Sequence, residues 1–397
     1  MGVLATWTVI PFFLSDIRVF VKLISFMENW GFANDKIDEK ITYFTENIEM
    51  INELNVEAYR LTHYKSFLMG VSMLWIVVFH AGLPIPILSY LKDIGYLGVD
   101  VFIFLSAYSL YFSFSRNSDL KTFYRKRVVR ILPSYYLVLV SVWLVETYLF
   151  KEQTAPLWEL ASMLGFYVPF LNWDYFLWYI PGILFLYAIF PFLYKHLSFI
   201  QKYGLGLFGI FLLLNLGYFL LVRSMDLKTT IFFCLPSRVV VFVLGMIYAQ
   251  YERKVIATIL PHRGYYICGA LMVMVGMIVL RQMEVSSVVM TGFMLETLPF
   301  VFAMPGFYYL LIGCAHSSWL NLLFVFLGTY SLEIYLLHER LLYWSKPFGE
   351  IWGWDERIVK LGMMIILVPL AVLLSKFCAR IFAFLQVRRT SETRMTE

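Results

Sequence analysis

Between Ser66 and Phe384 the chain is a series of apolar runs of roughly membrane-spanning length, parted by short polar breaks. Few folds are open to such a pattern. A helix needs about 20 predominantly apolar residues to cross the hydrocarbon of a bilayer. The runs lie near residues 66–83, 94–114, 131–150, 175–195, 201–222, 231–250, 265–281, 294–314, 321–343 and 358–384. Lipid offers no partner to a free backbone N–H or C=O, so each crossing has to be helical. Composition points the same way: 60% of the 397 residues are hydrophobic and 15% charged, against about 45–50% and about 25% in soluble globular chains. The expected fold class is all-α, a polytopic membrane protein of about ten transmembrane helices in one bundle.

The bundle is expected over residues 63–385. Before it, 1–62 forms an N-terminal extension of interfacial or partly ordered helices: its apolar run is short, Asp16, Arg18 and Lys22 follow it, and residues 34–60 are acidic. Residues 386–397 form a tail. The segment 153–173 is apolar but broken by Pro156, Glu159, Pro169 and Asn172, and is expected as a re-entrant or interfacial loop. Cys234, Cys268, Cys314 and Cys378 are far apart, with no CxxC and no Cys/His spacing. They suit small core residues rather than a metal or disulfide framework, and no metal is expected.

Orientation follows from Lys and Arg. The second connection holds Arg116, Lys121, Arg125, Lys126, Arg127 and Arg130. The fourth holds Lys195 and Lys202, the sixth Arg253, Lys254 and Arg263, and the tail Arg388, Arg389 and Arg394. The first, third and seventh connections hold one each, Lys92, Lys151 and Arg281. Basic loops stay in the cytoplasm, so both ends of the core are expected there, in a cell (inner) membrane. Membrane lipid is an expected partner and nucleic acid is not. The oligomeric state stays open, a homo-oligomer included.

Ionisable groups inside a span are costly and mark function by default. They are His80, Asp100, Glu146, Arg238, Glu333 and His338. With the topology above, His80, Asp100, Arg238 and His338 fall at similar depth, which points to a polar pocket in the outer half of the bundle. A histidine takes and returns a proton near neutral pH, and a carboxylate such as Asp100 can orient it. The competing reading is structural, with Arg238 paired to Asp100 or Glu333. A second signal is the stretch from Phe123 to Pro133. Ser118 or Asp119 is expected to cap a short membrane-surface helix there, with Pro133 in the first turn of the following span. Arg127 and Arg130 share a face. They suit either anchorage to anionic lipid or a grip on a polyanionic ligand through phosphate.

Together these segments resemble the acyltransferase-3 family of membrane O-acyltransferases. The matching motifs run in order: Gly70-Val71-Ser72 to Phe79-His80-Ala81-Gly82, Gly98-Val99-Asp100 to Ser106, Phe123 to Pro133, Trp178-Tyr179-Ile180-Pro181, Arg238 with Phe242 and Gly245, and Leu327-Gly328-Thr329-Tyr330-Ser331 to His338. The resemblance covers about 63–385. It implies transfer of an acyl group, usually acetyl, from cytoplasmic acyl-CoA (acetyl-CoA) to a hydroxyl of a cell-surface or exported carbohydrate. It also implies a catalytic histidine at His80, with Asp100 as its support. Arg125, Arg127 and Arg130 would face the donor, and Arg238, Glu333, His338, Trp178 and Tyr179 would line the substrate pocket. Two positions depart from the family pattern. Met69 stands where an arginine usually precedes the glycine, eleven residues before the histidine. Lys65, one turn earlier on the same face, is the expected substitute. Ala107 replaces a glycine after Ser106. The alternative class is a transporter or flippase for a polar glycan or lipid-linked sugar, which would be expected to show inverted repeats and broken helices in matching halves. The sequence shows neither.

Overall fold

A computed structural model of the protein describes residues 53–82, 94–150, 177–204, 234–282 and 291–395, with isolated helical positions from 206 to 213. The expected interfacial helix within 1–27, the loop at 153–173 and most of the run at 201–222 lie outside the described residues.

The described residues are helical, with no strand among them. In chain order the helices are α1 (Leu61–Ala81), α2 (Gly98–Arg116), α3 (Leu120–Leu144), α4 (Tyr179–Lys195), α5 (Cys234–Ile259), α6 (Arg263–Gln282), α7 (Thr291–Ala315), α8 (Ser318–Thr329), α9 (Ser331–Tyr343), α10 (Ser345–Trp352) and α11 (Glu356–Met395). Five helical stretches are long and apolar enough to cross a membrane, or seven if each of two bent pairs counts as one span.

Ten straight crossings are therefore not what the described residues show, and the reasons are local. The run at 321–343 is bent by 78° between α8 and α9, and α4 meets the short helix Leu197–Gly204 at 83°. The polar break expected between the sixth and seventh runs is itself helical: Arg253 and Lys254 lie on the last turns of α5, and a 3-10 turn, Leu260–His262, leads into α6. At the C-terminal end, α11 runs on to Met395.

Two compact units divide these residues. The smaller holds the segment up to His63 together with Glu252–Arg263. Within it, buried Glu252 accepts from Arg60 Nε and from the Leu61 backbone N–H, both at 2.9 Å, which ties the first free amide of α1 to a carboxylate. The larger unit holds Tyr64–Tyr251 and the chain from Gly264 onward. In it α9 packs against α11 and α3, and α4 against α3 and α2.

Small residues set the closest approaches in the larger unit. A Cβ at Gly70 would fall on the carbonyl of Phe324, and one at Gly328 on the carbonyl of Ser66. Only two glycines let the backbones of α1 and α8 cross this closely, which is how small residues join helices in lipid. A Cβ at Gly245 would lie 3.0 Å from the Ala107 methyl, so the methyl present here in place of the usual glycine fills the space that Gly245 leaves.

Candidate functional site

Asp119 caps α3, as one of the two expected candidates, by accepting from the Thr122 backbone N–H at 2.8 Å. The Thr122 hydrogen bonds hold its carboxyl below the usual range. From there α3 runs unbroken to Leu144, with Pro133 in its interior. The expected surface helix and the third span are thus one helix, and Pro133 lies well beyond the first turn. A proline interrupts one backbone bond but is tolerated in membrane helices, where neighbours can satisfy the freed carbonyl. Helical continuity carries the basic residues directly into the bundle.

They meet a cavity of about 320 Å³. Lys126, Arg127 and Arg130 of α3 line it together with Tyr179 and Tyr187 of α4, Ser331 and Tyr335 of α9, and Met69 and Ile76 of α1. Arg127 donates to the Phe123 carbonyl at 3.0 Å and to Ser113 Oγ at 3.4 Å, with its guanidinium carbon 4.1 Å from the centre of the Phe123 ring. Arg130 Nη1 donates to Glu333 Oε1 at 2.9 Å. Glu333 is wholly buried, and its other oxygen has no hydrogen-bond partner among the described residues. Arg125 lines a neighbouring cavity, which also borders Arg130, Glu333 and Cys378. Lys65 lines neither cavity, whereas Met69 lines the first.

The cavity reaches within one helical turn of two histidines, since Ile76 precedes His80 by four residues and Tyr335 precedes His338 by three. His80 is the penultimate residue of α1, and Gly82, just past the helix end, takes a left-handed conformation (φ 60°) of the kind glycine adopts freely. The His80 ring lies 4.9 Å, centroid to centroid, from the His338 ring, edge-on at 74°. His338 is completely buried, with Nδ1 2.7 Å from the Tyr335 carbonyl. A carbonyl only accepts, so Nδ1 is the donor and Nε2 carries the lone pair. That Nε2 has no hydrogen-bond partner among the described residues. Glu339 completes the group: one ligand atom from each of His80, His338 and Glu339 lies within 4.8 Å of the others.

The four groups expected to share one layer fall into two pairs. Beside the histidine pair, buried Asp100 bonds ionically to buried Arg238, Oδ1 to Nε at 3.2 Å. The Arg238 guanidinium also sits 5.8 Å from the Trp178 ring, a cation–π distance. Glu146 pairs with Arg340 at 3.4 Å and accepts from Trp344 Nε1 at 3.2 Å. Tyr179 stacks edge-on against Tyr335 at 5.1 Å inside the cavity wall. Sequence reasoning did not single out Lys126, Tyr187, Tyr335 or Glu339 for the site. Lys126 was visible as one charge in a basic cluster. Glu339 had no signal, because adjacent helical positions diverge by about 100° and the residue after a histidine is not expected to join it.

The family described as "Acyltransferase domain" matches residues 67–380, most of the chain. The chain belongs to this acyltransferase family. The match takes in both histidines, the basic stretch of α3 and the Asp100–Arg238 pair. A protein of Acidianus two-tailed virus named "Putative acetyltransferase ORF330" is 40% identical over 86 residues. The matched segment is 21% of this chain and 26% of that protein, so the chain spans about a quarter of the relative it matches. No solved structure matches the chain. In the acyltransferase family setting, the arginines of α3 border a cavity whose lining on α1 reaches Ile76, four residues before His80.

Proposed function

We propose that the protein is a membrane O-acyltransferase, taking an acyl group, acetyl by first choice, from acyl-CoA at the cytoplasmic face and transferring it to a hydroxyl of a cell-surface or exported carbohydrate. The observation that carries this reading is the cavity. It is bordered by Lys126, Arg127 and Arg130, and it extends along α1 to Ile76, one turn short of His80. Coenzyme A is anionic at its nucleotide end and slender along its pantetheine arm. Its phosphates suit a basic border, where charge-assisted hydrogen bonds to arginine are strong, while the arm suits an apolar and tyrosine-lined interior.

In this mechanism the acceptor hydroxyl gives its proton to a ring nitrogen of His80 as its oxygen attacks the thioester carbonyl. The C–S bond then breaks, the ester forms, and the coenzyme A thiolate takes the proton back from the imidazolium. General base catalysis of this kind contributes about 10²–10⁴-fold. His338 holds its Nδ1 proton on Tyr335 and fixes one wall of the place where His80 works.

The test is release of free coenzyme A from acetyl-CoA by purified protein in detergent, with a panel of sugar acceptors, for wild type beside His80→Ala. Acceptor-dependent release in wild type, reduced at least about 10²-fold in the variant, is the expected result. An intact thioester in both would remove the enzyme reading and leave the transporter class.

A further inference from the structure

We infer that His80, His338 and Glu339 form a binding site for a divalent transition-metal ion of the zinc class, and that the ion and acyl transfer exclude one another. The second half of this inference rests on the proposed role of His80 as base. The first half stands on geometry alone. Two imidazoles and a carboxylate, with ligand atoms all within 4.8 Å of one another, are a ligand set that zinc accepts, leaving further positions open to water. In a tetrahedral site with bonds near 2.0–2.1 Å the ligand atoms lie about 3.4 Å apart. Shifts of about 1 Å in the His80 ring, which keeps an exposed face, and in the Glu339 side chain, which is long and only half-buried, would bring the set from within 4.8 Å to that spacing.

A second, independent observation points to a ligand. His338 is fully buried, yet its Nε2 lone pair has no partner among the described residues, and such orphans are rare because they cost free energy. Its Nδ1 is held on the Tyr335 carbonyl at 2.7 Å. That is the outer contact metal-binding histidines commonly make, fixing the tautomer and leaving Nε2 free for the ion. The neighbouring cation Arg340 is engaged by Glu146 at 3.4 Å. His80 keeps an exposed face, which gives the ion a way in. An ion bound there occupies an imidazole lone pair, and a coordinated nitrogen cannot accept the proton of an acceptor hydroxyl.

Zinc binding to tag-free, full-length protein is measured by competition with a chromophoric chelator, for wild type, Glu339→Gln and His338→Ala. Size-exclusion profiles without metal report on folding. X-ray absorption on zinc-loaded wild type reads the ligand shell independently of any variant. The expected result is one zinc ion per chain, a shell with two imidazoles, and affinity at least tenfold weaker in both variants. Zinc is also expected to slow wild-type thioester cleavage, and EDTA to restore it. Absence of stoichiometric binding, a shell without imidazole, or unchanged affinity in the variants would overturn the site. Binding that leaves cleavage unaffected would overturn the mutual exclusion. A wild type that never cleaves the thioester defeats the proposed function, while the binding measurement still decides the metal site.

Discussion

Arg130 donates to Glu333 at 2.9 Å across the seam between α3 and α9, and the two ends differ sharply in exposure: the arginine side chain is 53% accessible and the carboxylate 1%. Removing the arginine strands a buried charge. Arg130→Ala is expected to cost about 2–3 kcal/mol of stability, below the range for a fully buried pair because the cation is half in solvent. It is also expected to raise the acyl-CoA KM by about ten- to a hundredfold, the worth of a charged hydrogen bond to phosphate. Adding Glu333→Gln should recover stability but not donor affinity. Thermal unfolding in detergent and donor titration separate the two effects. Recovery of both would show that Arg130 serves the fold alone.

Asp100 and Arg238 form a pair buried at both ends. Asp100→Asn leaves the guanidinium without its counter-charge and is expected to cost about 3–5 kcal/mol, seen as lower yield and earlier thermal unfolding. A direct catalytic role for Asp100 predicts the opposite signature, a fall in kcat with unchanged unfolding. Measuring both on one preparation decides between them.

Lys126 borders the first cavity and Lys65 does not. Lys126→Ala is expected to raise the acyl-CoA KM at least about fivefold, in keeping with loss of a charge-assisted contact. Lys65→Ala is expected to leave it within about twofold, the range of an ordinary surface change. A reversed order would restore Lys65 as the substitute for the arginine that Met69 replaces.

Glycine contacts make a third kind of test. Gly70→Ala and Gly328→Ala each drive a methyl into a backbone carbonyl of the partner helix, with an expected cost at the upper end of the about 1–3 kcal/mol typical of overpacking. Gly269→Ala, where nothing lies within 4 Å, is expected to change stability by no more than about 0.5 kcal/mol. Equal behaviour of all three would mean that α1 and α8 do not cross as described.

Much of this was legible in the chain. Helix type followed from run length and the demands of lipid, and the cap at Asp119 followed from residue chemistry. His80 and His338 were marked by being ionisable among apolar neighbours, and the family motifs located the arginines of α3. What escaped was pairing across space. Depth along a span put Asp100, Arg238, His80 and His338 in one layer and left Arg238 a choice of partner between Asp100 and Glu333, which the structure resolves in favour of Asp100. Glu339 gave no signal, because adjacent helical positions diverge by about 100°, yet its long side chain reaches back to the histidines. Pro133 misled because its ring is disfavoured in soluble helix interiors, a rule that packed membrane helices relax. The bend of 78° between α8 and α9 falls at Thr329-Tyr330-Ser331, a polar interruption too short to separate two helices within one apolar run.

The crossing at Gly70 and Gly328 acts as a fulcrum. His80 and His338 each lie ten residues beyond it, so along α1 the imidazole stands about 15 Å from the pivot. A tilt of only about 5° there would swing the ring by about 1.3 Å along that arm, and displacements of about 1 Å can cost a reaction about a hundredfold. Substitutions at a site that touches no substrate would then register as lost turnover, and a screen that scored activity alone would mistake a bearing for a reactant.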